Sequence, residues 1–199
     1  MSTPIQIGIT GGIGSGKSIV SRILAIMQYP VYDTDSQAKM LMDTPTLRKA
    51  LVERWGNNII KPNGEINRPL LSQIVFNDPK QLAHLNNIVH PAVRNHYAQW
   101  VEQQQSPITF VESAILHQAG MDSTLQYIWV IDADRETRIQ RVMLRNNIER
   151  KEIEARIAAQ HPTPIDHRTR IITNDNTVAI LPQILHLLSA LWKRKNMIL

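Results

Sequence analysis

One loop constrains this chain more than any other feature. Gly11-Gly12-Ile13-Gly14-Ser15-Gly16-Lys17-Ser18 fills every required position of the spacing G-x-x-x-x-G-K-[ST]. Before it runs Ile5-Gln6-Ile7-Gly8-Ile9, a short β-branched segment that reads as a buried strand. After it, Ser18 to Gln28 places Val20, Ile23, Leu24 and Met27 on one helical face. Glycines let a backbone wrap closely around phosphate oxygens, and successive N–H groups then form an anion-binding nest. The helix that follows presents its positive end to the same phosphates. In such a loop Gly12, Ile13, Gly14, Ser15 and Gly16 cradle the phosphates and Lys17 sets an ammonium on the terminal ones. The Ser18 hydroxyl is the natural ligand for Mg²⁺. A glycine-rich turn can also merely join a strand to a helix. The flanking elements and the lack of any acidic residue inside the loop favour a nucleoside triphosphate, read here as ATP with Mg²⁺.

The rest of the chain fits an α/β frame. Pro30-Val31-Tyr32 reads as a second strand closed by Asp33, giving the strand–loop–helix–strand start of a parallel sheet. Residues 36–105 hold no convincing strand, only helical pieces broken at Thr44-Pro45, Pro62-Asn63-Gly64, Asp78-Pro79 and His90-Pro91. They form a helical insertion. Strands are predicted at 107–112, 126–132 and 170–173. Helices are predicted at 136–147, 150–160 and 178–195, the last with Pro182 in its first turns. With 199 residues, 43% of them hydrophobic, the chain can bury a core without staples. There is no cysteine, which excludes disulfides, thiolate metal sites and a catalytic thiol. No apolar run reaches membrane-spanning length and the first residues lack a secretory pattern, so a cytoplasmic location is expected. The formal charge of +5 favours an anionic partner, and with aromatics at 5% a phosphorylated small molecule is preferred over nucleic acid. Oligomeric state is not legible.

Two further groups carry chemistry. Asp33 and Asp35 follow the second strand, at the carboxyl edge where open α/β sheets bind ligands. A carboxylate there can accept a proton from an attacking hydroxyl, or can instead cap the next helix. Asp33 is assigned the chemistry and Asp35 the capping. Arg135, Arg138, Arg141 and Arg145, spaced three, three and four apart, share one helical stripe. Such a stripe is either a solvated face or a set of phosphate-binding forks closing over ATP. The phosphate loop raises the second reading for the four as a group.

Taken together, the chain resembles the dephospho-coenzyme A kinase family over nearly its whole length. The loop from Gly8 to Ser18 and Val31-Tyr32-Asp33-Thr34-Asp35 are similar to that family's phosphate loop and acidic motif, whose first aspartate is the proposed base. Gly64, Arg68, Leu71, Val75-Phe76 and His90-Pro91 with Arg94 fall in the order of its coenzyme-binding domain. Arg141 and Arg145 match its paired lid arginines, and Gln160 the glutamine closing that segment. The resemblance implies a phosphate-loop three-layer fold with a five-stranded parallel sheet in the order 2-3-1-4-5. It implies a nucleotide-binding core of 1–35, 106–134 and 161–199, an acceptor-binding insertion at 36–105 and a lid at 135–160. By the same resemblance, Asp33, Lys17 and Arg145 act on the transferring phosphoryl and Arg141 and Asn174 contact the nucleotide. Arg68, His90 and Arg94, with Asp33, hold dephospho-coenzyme A, whose ribose 3′-hydroxyl accepts the phosphoryl group.

The chain departs from the family pattern where a glutamate is replaced by Gln118, preceded by His117, and where Thr169-Arg170 takes the place of an Ala-Asp pair. Two other readings stand beside the first: another small phosphate-loop kinase, of a nucleoside monophosphate or sugar acid, and a nucleotide-binding regulatory protein on a kinase scaffold.

Overall fold

A computed structural model describes residues 3–196. Five strands, β1 (Ile5–Thr10), β2 (Val31–Asp33), β3 (Ile108–Glu112), β4 (Tyr127–Asp132) and β5 (Thr169–Thr173), form one parallel sheet in the order 2-3-1-4-5. The order and the parallel sense are those the resemblance implies. Parallel strands need long crossovers, which fix where the helices go. Helix α1 (Lys17–Ile26) joins β1 to β2. Helices α2 (Thr34–Met42), α3 (Pro45–Trp55), α4 (Arg68–Phe76) and α5 (Pro79–Glu102) lie between β2 and β3. Helices α6 (Arg135–Asn146) and α7 (Arg150–Ala158) lie between β4 and β5, and α8 (Ile180–Asn196) closes the chain. No helix among the described residues is long and apolar enough to cross a membrane.

The period-two alternation of strands builds the three layers. Ile7 and Ile9 of β1, Ile108 and Phe110 of β3 and Trp129 and Ile131 of β4 point to one face. There they pack with Val20 and Leu24 of α1 and Ile184, Leu188 and Leu191 of α8. The intervening Tyr32, Val111, Ile128 and Val130 point to the other face, against Val89, Val93, Tyr97 and Val101 of α5. β1 is buried on both faces, which explains its continuous apolar run. Two satellite cores lie outside the sheet. Leu51, Ile59, Ile66, Leu71 and Val75 tie together the helices after β2. Ile139, Val142 and Ile153 join α6 to α7.

The structure corrects one local expectation. His90-Pro91 reads from sequence as a break, with Pro91 at a helix start, but α5 runs unbroken through it. Proline costs the helix one backbone hydrogen bond, the one to Asn87. Four apolar side chains that follow one stripe, Val89, Val93, Tyr97 and Val101, are buried against the sheet on both sides of Pro91, and that packing holds the helix straight on.

Candidate active site

The loop between β1 and α1 takes the conformation its sequence demands. Gly14 and Gly16 have φ of 77° and 96°, left-handed values that a side chain would strain. Gly16 is also the N-cap of α1, so the backbone N–H groups of Lys17 and Ser18 precede the first helical hydrogen bonds and point out of the helix end. Lys17 Nζ donates to the carbonyls of Gly11 and Gly12 at 2.9 and 3.3 Å. Burial pushes the Lys17 ammonium below its ordinary value, the Glu112 and Asp35 carboxylates oppose that, and Arg138 and Arg145 add to it. The lysine thus sits among the charges it has to balance.

A cleft of about 590 Å³ opens over the loop, lined by Gly14, Gly16, Lys17, Ser18, Asp35, Glu112, Arg141, Arg145 and Gln160 among others. Two more cavities adjoin it. One of about 700 Å³ reaches from Gly11 and Gly12 past Asp132 and Arg138 to His161, Pro162 and Thr163. The other, about 450 Å³ and mostly apolar, lies between α2, α4 and α5 under Phe76. Leu82, Asn86, His90 and Ile115 line both of these. Asp35 lines both the apolar cavity and the phosphate-loop cleft.

The two aspartates exchange the places the sequence suggests. Asp33 is the N-cap of α2: its Oδ1 accepts from the backbone N–H of Asp35 and Ser36, and its Oδ2 from the Ser36 hydroxyl at 2.5 Å. Both oxygens thus accept from the first turn of α2. Asp35 lies one step into α2, exposed, and faces the cleft. Sequence could not separate them, because both residue types suit a cap and only the turn of the chain decides which one faces inward. Glu112, at the end of β3 and paired in register with Asp33, is the carboxylate that sequence left without a role. Burial raises its pKa foremost; Ser21 and Lys17 lower it, while Asp33 and Asp35 raise it further.

The arginine stripe divides. Arg135 pairs with Glu154 at 3.3 Å. Arg138 turns under the loop, where Nε donates to the Ile13 carbonyl at 2.9 Å. Arg141 donates to the Asn174 carbonyl and to Asn176 Oδ1, each at 2.7 Å, while lining the cleft. Arg145 donates to its neighbour Asn146 Oδ1 at 3.0 Å and lines the same cleft, its charge felt at Lys17.

Three residues expected at the ligands have partners within the protein. Asn174 is 5% exposed and sits behind the loop, with Nδ2 donating to the Ser15 carbonyl at 2.7 Å, so its amide braces the loop. Arg68 forms an ion pair with Asp43 and donates to the Lys39 carbonyl, which ties the start of α4 to the end of α2. Arg94 donates to the Ala119 carbonyl at 2.7 Å and borders a separate small cavity with Tyr97 and Gly120. Of the residues expected to hold the acceptor, only His90 lines the large cavities; burial first, and Arg94 second, lower its pKa. Gln118 is exposed at the rim of the 700 Å³ cavity, and His117 Nδ1 lies 3.1 Å from Asp122.

A phosphate loop at the carboxyl edge of a 2-3-1-4-5 sheet, faced by a lysine, carboxylates and arginines, defines the class of phosphate-loop kinases. A family model described as dephospho-CoA kinase matches residues 5–179. The dephospho-CoA kinase of Bacteroides fragilis is 35% identical over 194 residues, 96% of this chain and 94% of that one. That of Porphyromonas gingivalis is 40% identical over 157 residues, 78% and 77% of the two chains. The crystal structure of TT1252 from Thermus thermophilus superposes with a TM-score of 0.82 at 31% identity, covering 95% of this chain and 98% of that one. This chain belongs to the dephospho-CoA kinase family.

Proposed function

We propose that this chain transfers the γ-phosphoryl group of ATP to the ribose 3′-hydroxyl of dephospho-CoA, releasing CoA and ADP. Family membership supports the reaction. The observation that carries the geometry is Asp35, the carboxylate shared by the phosphate-loop cleft and the apolar cavity beside it. An acceptor lodged among α2, α4 and α5 and a triphosphate on the loop meet at that residue.

The chemistry follows from what stands there. Asp35 orients the hydroxyl and takes its proton as the oxygen attacks the γ-phosphorus and the bond to the ADP oxygen breaks. Lys17, Arg141 and Arg145 hold the charge on the oxygens in transit, aided by the N–H groups at the start of α1. Asp33 contributes one step removed, by capping the helix that presents Asp35. The α6–α7 unit, which carries both arginines, acts as the lid. Two oxygen donors on the cleft wall, Ser18 and Glu112, suit a hard cation of the Mg²⁺ type. When bound, Mg²⁺ supplies charge neutralisation between the phosphates.

The test is ATP consumption with separate acceptors: dephospho-CoA, nucleoside monophosphates and gluconate. The proposal requires ADP formation dependent on dephospho-CoA with CoA as product. Turnover with another acceptor alone selects a different small-molecule kinase, and ATP binding without any transfer selects the regulatory reading.

A further inference from the structure

The crest of the phosphate loop is gripped from the α6–α7 side. Both polar groups of the Ile13 peptide are occupied: its N–H donates to Gln160 Oε1 at 2.9 Å and its carbonyl accepts from Arg138 Nε at 2.9 Å. Arg138 Nη2 also donates to Gln160 Oε1, at 3.2 Å, so the two side chains hold each other as they hold the peptide. The Ile13 side chain packs against the α6–α7 core of Ile139, Val142 and Ile153.

The contact explains two glycines at positions the loop pattern leaves free. A Cβ on Gly12 would lie 2.3 Å from Arg138 Nη2, so the guanidinium lies against bare backbone. A Cβ on Gly14 would lie 2.5 Å from the Arg138 carbonyl and 2.9 Å from Val142 Cγ2. At residue 14 a side chain would meet the backbone of α6 as well as an unfavourable φ, and at residue 12 the Arg138 guanidinium would have to give way.

We infer that Arg138 and Gln160 are positioning residues for ATP: by fixing the Ile13 peptide they aim the following amides, Gly14 to Ser18, at the phosphates before the nucleotide arrives. Gly14, at φ 77°, follows Ile13 directly, and a glycine backbone is freer than that of any other residue. Clamping the peptide before it removes that freedom in the empty protein, and preorganisation of this kind is read as affinity. Gln160 lines the phosphate-loop cleft and the 700 Å³ cavity alike, so the same side chain stands where the two meet. Since Gln160 follows α7 and Arg138 belongs to α6, the grip also makes the lid's position and the loop's shape one property. The inference rests on the proposed ATP site, though not on the identity of the acceptor.

The test compares Gln160→Leu, Gln160→Glu, Arg138→Met and Arg138→Lys by calorimetric titration with ATP, by steady-state kinetics and by thermal melting. Gln160→Leu should weaken ATP binding about tenfold, the worth of one to two hydrogen bonds. KM for dephospho-CoA should stay within about twofold, since affinity for the acceptor does not depend on the loop amides. Gln160→Glu keeps an accepting oxygen and should restore most of the affinity. Arg138→Lys should not, because lysine lacks the fork that reaches Ile13 and Gln160 together. The double variant Arg138→Met, Gln160→Leu should be little worse than the worse single one. ATP affinity unchanged in Gln160→Leu, a loss shared equally by both substrates, or no recovery in Gln160→Glu overturns the inference. The Gln160 pair decides the matter even if the Arg138 variants do not fold. A parent that binds ATP but phosphorylates nothing overturns the proposed reaction and leaves this inference to be read from the titrations; a parent that binds no ATP overturns both.

Discussion

The side-chain amide of Asn174 donates to the carbonyl of Ser15 at 2.7 Å, joining the turn after β5 to the phosphate loop across 159 residues of chain. A Cβ on Gly16 would lie 2.1 Å from the same amide, so the loop is moulded to it. Asn174→Ala leaves a buried carbonyl without its donor, a loss of ~1–3 kcal/mol. At about 2–4 °C per kcal/mol for a domain of this size, thermal melting resolves it. ATP titration of the same variant should show weaker binding, with KM for the acceptor little changed.

The exchange of places between Asp33 and Asp35 is open to a paired measurement. Asparagine caps a helix about as well as aspartate, so Asp33→Asn should keep α2 and most of the turnover. Asp35→Asn removes the basicity beside the loop and should lower kcat and kcat/KM together by ~10²–10⁴-fold. Equal losses in the two variants, or the larger loss in Asp33→Asn, would return the chemistry to Asp33.

Among the cations, Lys17 and Arg145 both line the cleft over the phosphate loop. Lys17→Ala should cut kcat by at least ~10²–10³-fold, as removal of one preorganised charge or donor does elsewhere. Circular dichroism should show an unchanged fold. Arg145→Lys keeps the charge and loses the planar fork, so it should recover only part of the activity lost in Arg145→Ala. Steady-state kinetics on the three variants checks both statements.

Glu112 gives a dependence on pH. Its pKa is raised in the folded chain, with burial the main cause. The folded state therefore holds that proton more tightly than the unfolded one. The stability this contributes is full below the ordinary carboxylate range and is lost as pH rises through the raised value. Glu112→Gln removes the loss. The variant should gain melting temperature over the parent, more at pH 8 than at pH 4, while its turnover falls because an oxygen donor has left the cleft. An equal gain at both pH values would contradict the assignment.

The fold and the loop were legible because periodicity and spacing encode them directly. Strand parity sent Ile7 and Ile9 to one face, and G-x-x-x-x-G-K-[ST] fixed where the phosphates go. What escaped was the orientation of polar side chains within a motif. Arg68, Arg94 and Asn174 were singled out with the ligand in mind, and all three are engaged with the protein's own Asp43, Ala119 and Ser15. A residue type and its position along the chain say that a donor is needed, not whether the acceptor is substrate or backbone. The same limit hides Arg138: in sequence it is one member of a four-arginine stripe from which only Arg141 and Arg145 stand out, and the approach of α6 to Gly12 is what distinguishes it. Pro91 escapes the sequence for another reason: its local helix-breaking tendency is outweighed by packing with a sheet far away in the chain.

The unbroken α5 sets which parts of the molecule can move. Its 24 residues make a rod about 36 Å long. Near its start Leu82, Leu85 and Ile88 pack into the satellite core of the insertion, and further along Val93, Tyr97 and Val101 are seated on the sheet. One beam is thus anchored in both bodies, and swinging the insertion away from the sheet would mean bending that beam at its single weak joint, Pro91. The gap between the apolar cavity and the phosphate loop behaves as a fixed gauge length, so in the proposed reaction closure around two substrates is left to the opposite jaw, α6 and α7.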